Sequence, residues 1–275
     1  SYVISSIFLT IKNRKKLKGK FKKEFLIKWM KLFWIPTYPK ISAIFTRSDI
    51  AVFTLMTGSV SAIAYWTSAN AVSRIIKHSS KINRAVYPKL LSGGKKEIFQ
   101  ENITRVLYFA FPLIGMTIIF AKPGLYILNP LYIEVEILVF ILSPLIFLRV
   151  INSMCTQALA GIEKVDKNKM STFTDYVKSK LFYIPTLENI HRGIYFGILL
   201  LVLFLVSKNH SDLELLNFWA IISLFVQLPF TIYLMIWVRK EFKPKIDFKT
   251  IFKYAFSSIL VFGGIGYLVN QNMEY

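Results

Sequence analysis

Long apolar runs alternate with short polar segments along the whole chain. A helix that crosses a bilayer core needs about 20 mainly apolar residues. Residues 30–54, 57–77, 104–127, 132–158, 190–207, 214–238 and 250–269 supply such runs. Residues 1–10 (SYVISSIFLT) are too short to span and have no charged segment before them, so they read as the tail of a truncated span. The pattern predicts an all-α, polytopic integral membrane bundle of about seven full transmembrane helices plus a truncated one. Residues 11–29 then form a basic linker and residues 30–275 the bundle. Residues 161–188 are polar but keep spaced apolar positions (Met170, Phe173, Val177, Leu181, Ile184), which predicts an amphipathic segment on a membrane surface. Residues 83–101 read as a loop with a short helix. Pro36, Pro39, Pro112, Pro123, Pro144 and Pro229 interrupt spans and permit bends. Gly58 with Ala62, and Gly193 with Gly197, have the four-residue spacing of small residues that lets helices approach closely.

Charge orients this array. Nearly all of the 35 Lys and Arg fall in every second polar segment: residues 12–31, 74–105, 164–192 and 239–253. The intervening segments carry Glu134, Glu136, Asp212 and Glu214 against Lys208. Cytoplasmic loops retain Lys and Arg, so the basic segments belong inside and the chain reads as a multi-pass protein of the cytoplasmic membrane. A net charge of +20 in a soluble chain would point to nucleic acid. Here, with 54% hydrophobic residues and a mean hydropathy of +0.48, topology accounts for the charge and no nucleic-acid partner is expected. The basic stretch from Lys12 to Lys31 is dense enough to attract anionic lipid headgroups.

Catalytic chemistry finds little footing. The single cysteine, Cys155, excludes an internal disulfide and a cysteine-based metal site. His78, His191 and His210 show no ligand spacing. There is no glycine-rich phosphate loop, no HExxH and no GxSxG. No cofactor, metal or enzymatic activity is expected. The rival is a membrane-embedded glycosyl- or acyltransferase, for which Glu134 with Glu136, or His191, would be the candidates. Asn209-His210-Ser211 is a glycosylation sequon on an expected outer loop.

Charges at membrane depth are costly and point to function by default. Arg149 is the deepest. Asn152, Ser153 and Thr156 follow it at offsets that keep all four on one helical face. Such a stripe should face the protein interior or a wet cavity. Arg149 is then a substrate-pathway group, a structural partner of an ion pair or carbonyl, or a snorkelling side chain. The first full span adds Lys40, Arg47 and Asp49, with Lys40 the more central and Arg47 and Asp49 nearer the outer end. The net sign of these deep charges is positive, which suits an anionic substrate.

Several stretches resemble the multidrug/oligosaccharidyl-lipid/polysaccharide (MOP) exporter superfamily, and within it the Wzx-type polysaccharide-biosynthesis flippases. They are Pro36 and Pro39 followed by Ser42 and SDIAVFTLMTGSVSAIAYWTSANAV, then AVYPKLLSGGKK, FPLIGMTIIFAKPGLYILNPLY and QALAGIEK. The likeness covers most of residues 25–206. It implies the second lobe of a two-lobed, MATE-like bundle whose first lobe is missing here. It also implies a flippase that rocks about a central cavity and moves lipid-linked, anionic oligosaccharide across the membrane. Arg149 and Lys40 would then pair with lipid phosphate or acidic sugar. A multidrug or cation-coupled exporter of the same fold is the alternative within the class, and of the deep residues only Asp49 would serve it.

Overall fold

The computed structural model describes residues 8, 11–12, 23–93, 97–165, 173–245 and 247–272. Among these residues there is helix and turn but no strand. The chain forms two units, residues 1–38 and 39–275. In the first, α1 (Lys23–Leu32) exposes Leu26, Ile27 and Met30. A one-turn α2 (Trp34–Thr37) follows, and Trp34 packs edge-on against Tyr38 with ring centroids 6.0 Å apart.

The second unit begins with α3 (Ile41–Thr57), α4 (Ser61–Ser73), a 3-10 stretch (Arg74–Ala85) and α5 (Val86–Leu91). Then come α6 (Glu97–Ile119), α7 (Ala121–Leu128), a 3-10 turn (Pro130–Val135) and α8 (Glu136–Gly161). The last elements are α9 (Phe173–Val177), α10 (Lys180–Val206), α11 (Asp212–Phe242) and α12 (Phe248–Asn272). Among the described residues, four helical segments are long and apolar enough to cross a membrane: Glu97–Ile119, Pro130–Gly161, Lys180–Val206 and Asp212–Phe242.

Local chemistry explains where the helices depart from the expected runs. The run 30–54 is not one helix. It is divided into α1, α2, a 3-10 turn (Tyr38–Lys40) and α3, and Pro36 and Pro39, which have no N–H to give an α-helical ladder, fall in this interrupted stretch. Gly58 ends α3 in the left-handed region (φ 69°), its N–H bonded to the Thr54 carbonyl at 2.8 Å. The run 57–77 keeps α-helix only to Ser73. Beyond it, the Ser79 and Ser80 hydroxyls bond the carbonyls three residues back, and the backbone tightens to 3-10. Ser211 and Glu214 cap each other's backbone at the start of α11. The expected surface segment 161–188 is shorter than its apolar spacing indicated. Leu181 and Ile184 belong to α10, Ile184 is buried, and Met170 lies outside the described residues.

α8 is the central helix. It packs against α11, the 3-10 stretch Arg74–Ala85, α4, α5, α6 and α10, while α3 lies along α10 and α12 along α6. Two apolar cores flank its middle. One gathers Phe53, Leu138, Leu142, Leu199 and Trp219; the other gathers Phe99, Val106, Cys155, Ala158, Leu234 and Phe242. Gly161 lets α5 approach α8, since a Cβ there would sit 2.9 Å from the Leu90 Cβ. The Gly193–Gly197 pair does not serve a helix contact within the described residues: a Cβ at either would meet nothing within 4 Å. Ile194, Leu201, Phe204, Phe225, Phe252 and Ile259 are exposed, an apolar exterior that suits lipid as solvent.

Candidate functional site

Between the two cores, where α8 turns its polar stripe inward, the bundle encloses a cavity of about 550 Å³. Arg149, Asn152, Ser153 and Thr156 all line it. α10 answers from the opposite wall with Glu188, His191 and Arg192, spaced, like the stripe on α8, to share one helical face. The end of α4 and the following 3-10 stretch add Asn70, Arg74 and Lys77; α11 adds Gln227 and Phe230; Ser42 on α3 completes the ring.

Among the described residues the wall carries four bases (Arg74, Lys77, Arg149 and Arg192) and one carboxylate, Glu188. Arg74 and Lys77 are exposed, and Arg149 and Arg192 are partly buried. Arg192 and Arg74 repel Arg149, and Asp49 attracts it. Among the described residues the ion pairs are Arg105–Glu101 and Lys180–Glu241, so neither deep arginine is neutralised by a close carboxylate. Arg149 Nε, Asn152 Oδ1 and His191 Nε2 are buried without hydrogen-bond partners. Buried polar atoms normally find a partner in protein, water or ligand, and these three converge on one cavity. The His191 ring stacks on Phe230, with centroids 4.3 Å apart and planes 16° from parallel. The Ser153 hydroxyl accepts from Gln157 Nε2 at 3.2 Å, and the Thr156 hydroxyl donates to the Ser153 carbonyl at 3.3 Å.

Among the described residues, neither Lys40 nor Asp49 lines this wall. Lys40 is exposed, on the 3-10 turn before α3, rather than central in a span, because the run 30–54 is broken there. Arg47 lies on α3, and its side chain is outside the described residues. Asp49 is buried in the middle of α3. It accepts from the Tyr195 hydroxyl at 3.1 Å and from its neighbour Ile50 N–H at 2.8 Å. Tyr195 in turn accepts from the Trp219 indole N–H at 2.6 Å. Trp219 is sandwiched between Phe53 and Trp66, with centroid distances of 4.8 and 3.8 Å.

Sequence reasoning missed Glu188 as a cavity residue because the expected span began at residue 190, and Arg192 because it was counted with the basic segment 164–192. The spacing of Glu188, His191 and Arg192 repeats that of Arg149, Asn152 and Ser153, and this repetition was the available signal. Arg74 and Lys77 were read only as markers of the inner side. Among the described residues no group of His, Cys, Asp or Glu is assembled to hold a metal ion. The wall as built can bind an anion through guanidinium forks, with amide and hydroxyl groups left to contact neutral parts of the same ligand. Comparison with protein-family models, curated proteins and solved structures finds no match for this chain.

Proposed function

We propose that this chain is one lobe of a MOP-type flippase of the cytoplasmic membrane, moving a lipid-linked, anionic oligosaccharide or polysaccharide precursor. In this reading the basic segments face the cytoplasm, the bundle crosses seven times, and a first lobe of similar size completes the pathway. The observation that carries it is the cavity in an apolar helical bundle whose described wall is mainly basic and whose Arg149 and Arg192 form no ion pair among the described residues. An anion entering from the cytoplasmic side meets exposed Arg74 and Lys77 first and the partly buried Arg149 and Arg192 next. Guanidinium groups suit phosphate and carboxylate because they present paired donors in a fixed plane. The polar amides and hydroxyls around them suit sugar.

A cation exporter of the same architecture has one specific observation in its favour, the Glu188 carboxylate on the wall. It is outnumbered by the four bases, and the Asp49 carboxylate is engaged by Tyr195. The deciding experiment is a cell-based glycan-export assay of Arg149→Ala. The expected result is loss of export with normal membrane insertion. Normal insertion with unimpaired export would overturn the reading.

A further inference from the structure

A second, smaller pocket lies away from the cavity, where the 3-10 stretch, α5 and the first turns of α6 meet. Its volume is about 250 Å³, and Lys81, Lys89 and Arg105 converge on it from those three elements. Glu101, the acid on its wall, is occupied by Arg105 in an i,i+4 pair. Lys81 and Lys89 form no ion pair among the described residues.

The floor differs in kind from the rim. Ile82, Val86 and Ile98 make it apolar. Beneath them Asn102 donates to Asn83 at 2.9 Å, and Asn83 donates to the Val150 carbonyl of α8 at 3.4 Å. Both asparagines are buried, so the pocket rests on a hydrogen-bonded base tied to the central helix. The volume is below the range of pockets that enclose whole small-molecule ligands, which run from about 300 Å³ upward. It fits a charged headgroup fragment, not a nucleotide or an oligosaccharide. The pocket sits at the Glu97 end of Glu97–Ile119, a helix long and apolar enough to cross a membrane; the end of such a helix would lie at headgroup level, where basic pockets between helices hold anionic headgroups.

We propose that Lys81, Lys89 and Arg105 form a binding site for the phosphate of an anionic phospholipid headgroup, with Ile82, Val86 and Ile98 receiving the start of its apolar portion. Phosphate is the recognised chemistry. The apolar floor and the position at a helix end favour lipid over free phosphate as its source. The site is separate from the transport cavity and does not depend on what that cavity carries.

The test uses the full chain purified in detergent and read by native mass spectrometry for bound phosphatidylglycerol or phosphatidylcholine. Wild type is expected to retain phosphatidylglycerol at least about fivefold over phosphatidylcholine. Lys81→Gln with Lys89→Gln should abolish that preference, and the matching pair of Arg replacements should keep it. Arg239→Gln with Lys240→Gln, exposed at the end of α11, removes as much charge elsewhere and should leave the preference intact. Equal loss in this control would show a diffuse basic field and overturn the site, as would the absence of any preference in wild type. Millimolar inorganic phosphate that displaces the lipid completely would overturn the lipid as the occupant and identify free phosphate instead. Export is not read in this experiment, so its outcome is independent of the flippase proposal.

Discussion

The hydroxyl of Tyr195 on α10 donates to the carboxylate of Asp49 on α3 at 3.1 Å, in the buried contact between the two helices. The same oxygen accepts from the Trp219 indole at 2.6 Å, so one atom joins three helices. Phenylalanine at 195 keeps the ring and deletes that atom. It leaves Asp49 with the Ile50 N–H but without the hydroxyl donor, and the Trp219 N–H without its acceptor. A buried polar group left unmade costs about 1–3 kcal/mol. Tyr195→Phe should therefore lower the thermal midpoint of the purified protein by several degrees with insertion preserved. An unchanged midpoint would mean that water replaces the hydroxyl and that the triad contributes no net stability.

This triad also marks where reading the sequence stops. The helical class, the boundaries of Pro130–Gly161 and Asp212–Phe242 to within a few residues, and the stripe on α8 were legible, while Lys180–Val206 begins ten residues before the expected span and Glu97–Ile119 seven before. Each legible feature is a matter of local periodicity, and Arg149, Asn152, Ser153 and Thr156 share a face whatever surrounds them. Asp49 and Tyr195 are 146 residues apart and Tyr195 and Trp219 are 24 apart; no pattern along one helix reports that they meet. Lys40 was misplaced for a different reason. Apolarity alone made 30–54 one span, while Pro39 and its surroundings divide the backbone there. Arg192 was assigned to topology because a basic residue near a helix end satisfies the orientation rule whether or not it also lines a cavity.

Two glycines on long helices should respond oppositely to alanine. At Gly161 an added Cβ meets the Leu90 Cβ at 2.9 Å and the Tyr87 carbonyl oxygen at 3.2 Å, atoms that cannot swing aside. Overpacking of this kind costs about 1–3 kcal/mol. At Gly193 nothing lies within 4 Å, and alanine is the better helix former by about 1 kcal/mol. Gly161→Ala should lower the thermal midpoint and Gly193→Ala should hold or raise it. A loss of stability at Gly193 as large as at Gly161 would show that a neighbour outside the described residues packs on that face.

Orientation follows from charge and is checked by impermeant maleimide labelling of single cysteines in a Cys155→Ala background. Cys155 is almost fully buried and flanked by apolar core, so its replacement removes background reactivity at small cost. Cysteines at Leu131 and Asn209, both exposed between long helices, should label from outside intact cells. Cysteines at Lys89 and Lys243 should label only after permeabilisation. Labelling of position 89 in intact cells would reverse the topology. Arg74 and Lys77 would then open the cavity to the exterior.

Charge and geometry at residue 149 are separable. Arg149 lies on the wall with its Nε buried and unpartnered, and another arginine on that wall, Arg192, repels it. A lysine there keeps the positive charge but presents a compact ammonium in place of a planar fork. If the cavity holds phosphate or carboxylate through paired donors, Arg149→Lys should retain part of export while Arg149→Ala retains none. If only the overall field matters, Arg149→Lys should match wild type. Lys40→Ala is the companion measurement. Lys40 is exposed and does not line the cavity, so its loss should leave export within about twofold of wild type. Export abolished by Lys40→Ala but spared by Arg149→Ala would move the substrate path off α8 altogether and put the basic wall outside it.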